Sequence, residues 1–335
     1  MRIQPYTCHI ADSAIAEAGD IPLDALHRDA DAICTAYDAI APVAERLGLA
    51  PPPPRLGGFL YCHVSALGAR VVFAPGSEPN VVPLLKTPED VDRLKAPHEY
   101  MSRGVIPQRL RTLEALLERR PDAVRTVNAY PEGPVTTAAL LMGPDFFVLP
   151  YIDPGRAHAL LSFCVDSGLA FHEEAERHFG IASPPEVGGI ADDFAGMFPP
   201  PLFEEFVMPY WERVYTGRRA KRRHLHSELL RPEHLPYLKD LNIEFFDPSA
   251  DQYVTPWLLR EQCPVPFMAR ILAWQVDNNS AEALQDLYRA YSACGPESIM
   301  FTLRILADEP KVAAMLETAR TLARESPQDP PQNAG

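Results

Sequence analysis

The sequence lacks several features that would assign it to a common class of protein. No apolar run is long enough to span a bilayer, and the first residues lack the apolar core of a secretory signal. The six cysteines are scattered without a CxxC pair, which argues against a disulfide framework. No glycine-rich phosphate fingerprint follows any predicted strand, so a dinucleotide-binding fold is disfavoured. We therefore expect a cytoplasmic protein with reduced cysteines.

Basic residues are also fewer than acidic residues. The chain has 31 Lys and Arg against 45 Asp and Glu, which gives a formal net charge of −14. Such a surface does not attract nucleic acid or anionic lipid, so we expect neither a nucleic-acid partner nor a membrane partner. The length of 335 residues and the hydrophobic content of 47% are normal for a single α/β barrel with additions that handles small molecules.

Short apolar runs alternate with helical stretches from about residue 124, which predicts a parallel sheet. Without a phosphate fingerprint, a closed (β/α)8 TIM barrel with an N-terminal helical extension is favoured over a doubly wound sheet. We expect residues 1–120 to form the extension, 121–324 the main part of the barrel, and 325–335 a disordered tail. The predicted strands are Val124–Asn128, Val187–Asp192, Arg223–Glu228, Ile243–Phe246, Phe267–Leu272 and Ile299–Ile305.

The stretch from Arg223 to Leu229 carries the most informative pattern. If it is extended, His224, His226 and Glu228 point to one side and Leu225, Ser227 and Leu229 to the other. A polar row backed by an apolar row suits a barrel strand that packs on helices and lines an interior. Titratable groups on an inner row need partners. The row is interpreted either as a metal or acid–base site, or as hydrogen-bonded histidines beside an ordinary carboxylate.

Acidic residues that follow the next predicted strand are further candidates. Asp247 and Asp251 fall in a loop at the catalytic end of a barrel, if the fold is right. There they would complete a metal site or bind substrate, or else cap the next helix or turn. Cys263 and Cys294 stay open as ligands, although a buried thiol is the default interpretation.

Several stretches, taken in order, resemble the uroporphyrinogen decarboxylase superfamily. The likeness spans roughly residues 10 to 320 and implies a (β/α)8 barrel whose site lies at the carboxyl ends of the strands. The stretches that carry it are Ala66-Leu67-Gly68-Ala69, Pro83 to Asp90, Glu132-Gly133-Pro134-Val135-Thr136-Thr137-Ala138, Asp153-Pro154, Ala191 to Gly196 and Phe203 to Tyr210.

The branch of the superfamily matters for function. True uroporphyrinogen decarboxylases carry an arginine-rich RQAGR motif near the N-terminus, and the isolated Arg2, Arg28 and Arg46 do not form one. The chain instead resembles the methylcobalamin-dependent methyltransferases, including the coenzyme M type. This resemblance implies a methyl group moved between a corrinoid, on a protein or as free cobalamin, and a small methyl acceptor.

The methyltransferase branch builds a zinc site from an H-x-C strand end and a later cysteine. In register with that pattern, His226 takes the histidine position and Glu228 replaces the first cysteine. The later cysteine would fall near Leu303 or Arg304, where the sequence has none. The resemblance therefore implies a divalent metal, zinc first, on His226 and Glu228, with His224 as a weaker ligand.

The resemblance also suggests roles for three more residues. Asp193 takes the position of the family aspartate and would orient substrate or take a proton, or else cap a helix. Tyr61 and His63 lie in the extension that reaches over the barrel mouth in this family, where they would contact the ligand, although a packed surface histidine is the default interpretation of His63. The alternatives to a corrinoid-dependent methyltransferase are a metal-independent decarboxylase or lyase, and a binding protein that has lost the chemistry.

Overall fold

The computed structural model describes residues 6–59, 61–127, 130–249 and 253–325. Its strands are β1 (Tyr6–Ile10), β2 (Arg70–Val72), β3 (Asn80–Val82), β4 (Val187–Ala191), β5 (Arg222–His226), β6 (Phe245–Asp247), β7 (Met268–Arg270) and β8 (Ser298–Leu303). Its α-helices are α1 (Asp12–Ala18), α2 (Ala30–Arg46), α3 (Cys62–Ala66), α4 (Ile106–Arg119), α5 (Pro134–Met142), α6 (Leu149–Ile152), α7 (Pro154–Phe179), α8 (Pro200–Phe206), α9 (Met208–Arg218), α10 (Leu235–Asp240), α11 (Pro256–Gln262), α12 (Ala273–Asn278), α13 (Ala281–Ala293) and α14 (Glu309–Glu325). Short 3-10 helices cover Leu23–His27, Pro88–Arg93, Gly143–Phe147, Ala195–Met197, Pro232–His234 and Leu306–Asp308.

The parallel strands form two sheets of three. One sheet has the order β4-β5-β6 and the other the order β1-β8-β7, with every neighbour parallel. A single parallel bridge between Phe246 and Phe267 joins the two sheets at β6 and β7. Helices separate successive parallel strands, so the predicted α/β class is confirmed.

The predicted closed (β/α)8 ring is shown only in part, because the described parallel strands form two sheets of three. Among the described residues, no strand pairs with both β1 and β4, and residues 124–127 of one predicted strand are not in a strand. The carbonyl oxygens of Val127 and Gly57 accept from the Arg109 guanidinium instead of from a neighbouring strand.

The N-terminal region, which we expect to be an extension of helices and strands that packs on the barrel, contributes one strand to the parallel sheets. Residues 6–10, which we placed in that extension, form β1 and pair in parallel with β8. The pattern was missed because the strand is short and two of its five residues, Thr7 and His9, are exposed and polar. Of the predicted tail, Glu325 ends α14 and residues 326–335 lie outside the described part of the chain.

The two faces of the strands differ in burial. Leu225, Phe246, Ala269 and Ile299 point outward and are almost fully buried against helices. The alternate residues of the same strands face the interior and are only partly buried, as at His226. This alternation agrees with the predicted polar and apolar rows of β5. The interior surface of the sheets is therefore the place to look for a site.

Local sequence explains how helices begin and end despite 36 prolines. Many prolines occupy the first turn of a helix, where the missing N–H has no partner to lose, as at Pro134 and Pro154. The Asp153 carboxylate accepts from the Arg156 N–H and caps α7, whose 26 residues are followed by left-handed Gly180. No helix in the described ranges is both long and apolar enough to cross a membrane.

Candidate functional site

Three predicted residues meet where β4 and β5 end. Asp193 follows β4 by two residues, His226 ends β5, and Glu228 lies two residues further on. One ligand atom from each side chain lies within 4.8 Å of the other two. All three residues are partly buried, so the cluster is screened from bulk water but accessible. One imidazole with two carboxylates is a donor set that suits zinc or a harder divalent ion.

The strand ends are locked together by buried polar contacts. The Asp192 N–H donates to the carbonyl oxygen of His226 at 2.9 Å, and Ser227 Oγ donates to the carbonyl oxygen of Asp192 at 2.8 Å. Asp192 and Ser227 are fully buried. Beyond them, Glu228 Oε1 accepts a hydrogen bond from Ser249 Oγ at 2.7 Å. These contacts hold Asp193 and Glu228 on the same side as His226.

Asp247 and Arg270 orient the imidazole. His226 Nδ1 lies 2.8 Å from Asp247 Oδ2, across adjacent strands at paired positions. Arg270 in β7 donates from Nε to Asp247 Oδ1 at 2.8 Å and makes a second contact from Nη2 to Oδ2. The predicted candidate Asp247 thus contacts His226 at Nδ1 and is not one of the three residues that meet at ligand distance. A carboxylate on one ring nitrogen leaves the other, Nε2, for a ligand.

Asp193 carries an unsatisfied oxygen. Its Oδ1 lies 3.3 Å from His226 Nε2, but the contact does not have hydrogen-bond geometry, and this buried oxygen has no hydrogen-bond partner. The charge of a protonated His226 offsets part of the cost of burying this oxygen, but the oxygen still lacks the hydrogen bond or metal contact that a buried carboxylate normally has. The position of this oxygen beside Nε2 therefore marks where a metal ion or a substrate would bind.

The charges of the site shift its pKa values strongly. Burial alone would lower the pKa of His226, but the carboxylates of Asp193 and Asp247 outweigh burial and raise the pKa to about 9. Burial opposes ionisation of Asp247, but His226 and Arg270 hold its pKa well below its usual range. Without a metal, His226 is therefore an imidazolium between two carboxylates at neutral pH.

Glu132 is a site residue that sequence reasoning missed. Its Oε2 is buried and has no hydrogen-bond partner. Burial raises the pKa of Glu132 to about 8, with Asp193 and Asp192 adding to the shift. In the sequence, Glu132 stands only as the first residue of a family motif. No local pattern marks it, because its position depends on the contact between the Gly133 N–H and the Ala191 carbonyl oxygen (2.6 Å).

The neighbouring Asp192 has a structural role. It is fully buried and accepts from the Val135 and Thr136 N–H groups and from Trp211 Nε1. Burial raises its pKa to about 6, although these donors favour the charged form. Asp192 therefore fixes the start of α5 next to the strand ends that carry the cluster.

Two predicted residues lie near the cluster without joining it. His224 is two residues before His226 on the same row, and its Nε2 is buried without a hydrogen-bond partner. It is not among the three residues that meet at ligand distance. Tyr61 is partly buried; burial raises its pKa, and Glu132 and Asp193 contribute to that shift, so the phenol lies near these carboxylates.

The other predicted candidates fall elsewhere. His63 is buried in the core, with Nε2 2.8 Å from Ser167 Oγ and its ring against Phe171, so the expected contact with ligand at the barrel mouth is wrong. Helix α3 turns it inward, and burial lowers its pKa to about 3. Asp251 lies outside the described residues. Cys263 and Cys294 hydrogen-bond to backbone carbonyl oxygens rather than contributing to the cluster.

The basic groups around the interior are already paired. Arg270 holds Asp247, Arg55 lies 2.7 Å from Asp12, and Arg218 lies 2.8 Å from Glu176. The carboxylates of Asp193 and Glu228, in contrast, have no basic side chain other than His226 within ion-pair distance among the described residues. The site therefore has surplus negative charge and favours a cation over a substrate with several carboxylates.

One known protein family matches a continuous part of the chain that includes the cluster. The model of the uroporphyrinogen decarboxylase (URO-D) family matches residues 59–252, more than half of the chain. The chain belongs to the uroporphyrinogen decarboxylase family. The match includes Glu132, Asp193, His226, Glu228 and Asp247, and it ends before Arg270. The resemblance drawn from the sequence motifs is thus confirmed at the level of the family.

A solved structure shows the same fold over nearly the whole length. A methyltransferase from Methanosarcina mazei superposes with a TM-score of 0.70, at 15% sequence identity, over 96% of this chain and 94% of that chain. Among curated proteins, none matches the sequence.

Proposed function

We propose that the protein is a methyltransferase that moves a methyl group between a corrinoid and a small acceptor, with a divalent metal at the cluster. The observation that carries the proposal is the convergence of Asp193, His226 and Glu228 within 4.8 Å, beside an unpaired oxygen of Asp193. The solved structure with the same fold is a methyltransferase, which supports this reaction class.

The residues fit a divalent metal. Nε2 of His226, an oxygen of Asp193 and an oxygen of Glu228 would hold it, with zinc as the first candidate. The Asp247 carboxylate on Nδ1 would orient the imidazole and raise its basicity. A bound divalent ion supplies a Lewis acid that keeps a thiol or water as its anion near neutral pH.

The chain's own groups would prepare the site for the acceptor. His226 has to lose its proton before Nε2 can act as a ligand, so metal binding displaces one proton from an imidazole whose pKa is about 9. Glu132, whose pKa is about 8, is placed to take or hold a proton close to Asp193. Tyr61 would cover the acceptor from the N-terminal region.

The rim beyond the strand ends suits a large apolar cofactor. Phe194, Met197, Trp257 and Trp274 are exposed there, which is unusual for side chains of this size. A methyl-carrying corrinoid, free or protein-bound, would dock on this rim.

The ring of strands would close into a (β/α)8 barrel. Residues 54–59 and 124–127 would take the two remaining positions between β1 and β4. In support of this, the Val124 N–H donates to the Pro54 carbonyl oxygen at 2.8 Å, and the Gly133 N–H reaches Ala191 in β4. Closure would place all the strand carboxyl ends, and hence the cluster, at one mouth.

A metal-independent lyase is the second candidate. The protonated His226 and the neutral carboxyl of Glu132 would form a pair of proton donors around a substrate. The pairing of Arg55, Arg218 and Arg270 with carboxylates argues against a substrate with several acid groups.

Metal analysis and methylcobalamin demethylation separate the two candidates. We expect one equivalent of zinc or another divalent ion in the purified protein, and cobalamin absorbance changes when methylcobalamin is mixed with a panel of thiols. His226→Ala should lose both the metal and the demethylation. The exposed His98→Ala serves as the matched control and should retain both. Full activity of His226→Ala without metal would remove the proposed mechanism.

A further inference from the structure

A cavity of about 480 Å³ lies on the interior side of β4, β5 and β6, beneath the cluster. Gly189, Ala191, His224 and Phe245 form its wall, and it reaches His226, Asp247 and Glu132 at one end. Its volume falls in the range of small-molecule sites. Nothing in the proposed metal cluster accounts for this space.

The other end of the cavity carries exposed apolar side chains. Ile181 and Val187 border it, and they are 41% and 37% exposed. Val187 is the first residue of β4, so this end lies at the amino ends of the strands, away from the rim. Exposed large apolar side chains grouped at the entrance of a cavity favour an apolar guest.

Gly189 keeps the middle of the cavity open. A Cβ placed on Gly189 would meet no atom within 4 Å, and the residue does not have a left-handed conformation. The backbone therefore does not require glycine here, and a side chain at this position would extend into empty space. The neighbouring Gly188, in contrast, faces outward, and a Cβ there would lie 2.6 Å from Ala220.

The wall offers two polar atoms without a hydrogen-bond partner, Glu132 Oε2 at the cluster end and His224 Nε2 beside Phe245, and no unpaired Arg or Lys among its described residues. His224 Nε2 is buried without a hydrogen-bond partner, while the ring lies 5.1 Å from the Phe245 ring. Arg218 is the one Arg or Lys among the described wall residues, and it is 2.8 Å from Glu176. An anionic guest would find no free counter-charge, whereas a neutral guest with one polar group would satisfy Nε2.

We propose that this cavity binds a small, neutral, largely apolar molecule of aromatic size, with one polar group hydrogen-bonded to His224 Nε2. The molecule reaches the His226 end from inside the ring of strands and leaves the exposed rim free for the methyl carrier. Its role as methyl acceptor rests on the proposed function, whereas its binding does not.

Calorimetric titration with phenol tests the site. Benzoate tests whether the cavity accepts a negative charge, and fluorobenzene, which lacks the hydroxyl, tests the hydrogen bond. Phenol should bind wild-type protein with measurable heat, and benzoate should bind at least tenfold more weakly. Gly189→Leu fills the cavity and should weaken phenol binding at least tenfold, while Gly189→Ala should have a smaller effect. An unchanged or higher Tm would show that both variants are folded. Absence of phenol binding, or unchanged binding by Gly189→Leu, overturns the proposal.

Two further variants locate the ligand. His224→Phe should reduce the preference for phenol over fluorobenzene about three- to tenfold, as expected for one lost hydrogen bond. Trp274→Ala alters a separate cavity of about 320 Å³, lined by Trp257 and Trp274, and should bind phenol as wild type does. Loss of phenol binding in Trp274→Ala alone would place the ligand in that other cavity and overturn the proposal.

Measuring the metal content of each variant distinguishes failure of the cavity proposal from failure of the proposed metal mechanism. Gly189→Leu should retain full zinc content, because residue 189 contributes no ligand to the cluster. Phenol binding without any bound metal would leave the cavity assignment standing and remove the metal mechanism. Zinc binding without phenol binding would leave the metal site standing and overturn the proposal for the cavity.

Discussion

The Nδ1 atom of His226 lies 2.8 Å from Oδ2 of Asp247, and Arg270 holds that carboxylate from the next strand. The three side chains come from consecutive strands β5, β6 and β7 at their carboxyl ends. This chain of contacts decides which ring nitrogen faces Asp193. It also explains how a histidine close to two acids keeps one orientation.

Asp247→Asn should weaken zinc binding about 10- to 100-fold, because the imidazole loses the carboxylate that orients it and raises its basicity. Competition with a chromophoric chelator measures the affinity. Asp240→Asn changes an exposed aspartate on α10 and should leave the affinity unchanged. Equal zinc affinity in wild type and Asp247→Asn would show that the carboxylate does not support the ligand.

His226 should make the metal-free protein less stable as the pH rises. Its folded-state pKa of about 9 is above the ordinary value near 6.5, so its contribution is complete below about pH 6.5 and is lost as the pH rises through 9. The difference in urea midpoint between wild type and His226→Gln, measured in chelator, should therefore be largest at pH 6 and smallest above 9. A difference that does not depend on pH would contradict the assigned ion pairs.

Zinc affinity should rise with pH for the same reason. Since binding displaces the proton from His226, the apparent association constant should increase about tenfold per pH unit between pH 6 and 8. Chelator competition at several pH values measures this slope. A flat profile would mean that His226 is not a ligand.

The Glu132→Gln variant should have a higher free energy of unfolding than the wild type at alkaline pH. The folded protein keeps the Glu132 carboxyl protonated up to about pH 8, well above its ordinary value near 4.5, so wild type loses stability as the pH rises through 8. Glutamine does not titrate and avoids this loss. Urea unfolding at pH 5 and pH 8.5 in chelator tests the sign, and the exposed Glu118→Gln should show no such trend.

Arg109→Met should cost about 2 kcal/mol or more of stability, because the carbonyl oxygens of Gly57 and Val127 lose their donor. Arg109 is almost fully buried and also lies over the Phe59 ring. Arg111→Met, on the exposed face of the same helix, should change stability by less than about 0.5 kcal/mol. Urea midpoints compare the two, and equal effects would show that the buried guanidinium does not join these segments.

Local alternation was enough to predict part of this site. Residues two apart on a strand share a face, so His224 and His226 on one side and Leu225 on the other could be read from the sequence. The predicted strand around His226 differs from β5 by one or two residues at its ends. Glu228 lies beyond the strand, and its place in the cluster depends on the buried Ser227 contact.

Contacts between distant segments account for what was missed. Arg270 falls in a predicted strand and Asp247 at the end of the preceding one, so opposite charges at consecutive strand ends were an available signal. Glu132 gave no such signal, because its place depends on how the loop before α5 meets β4. His63 was misplaced because a single helical turn, α3, points it toward Ser167 rather than toward the site.

The alternation of burial along the strands separates two kinds of position. Leu225, Phe246 and Ile299 carry the packing against the helices, while the side chains between them border open volume. Exchange of an inward residue such as Gly189 therefore alters which molecule fits without loosening the scaffold. Evolution can revise the chemistry of such a chain at low risk to its folding, and so can an engineer.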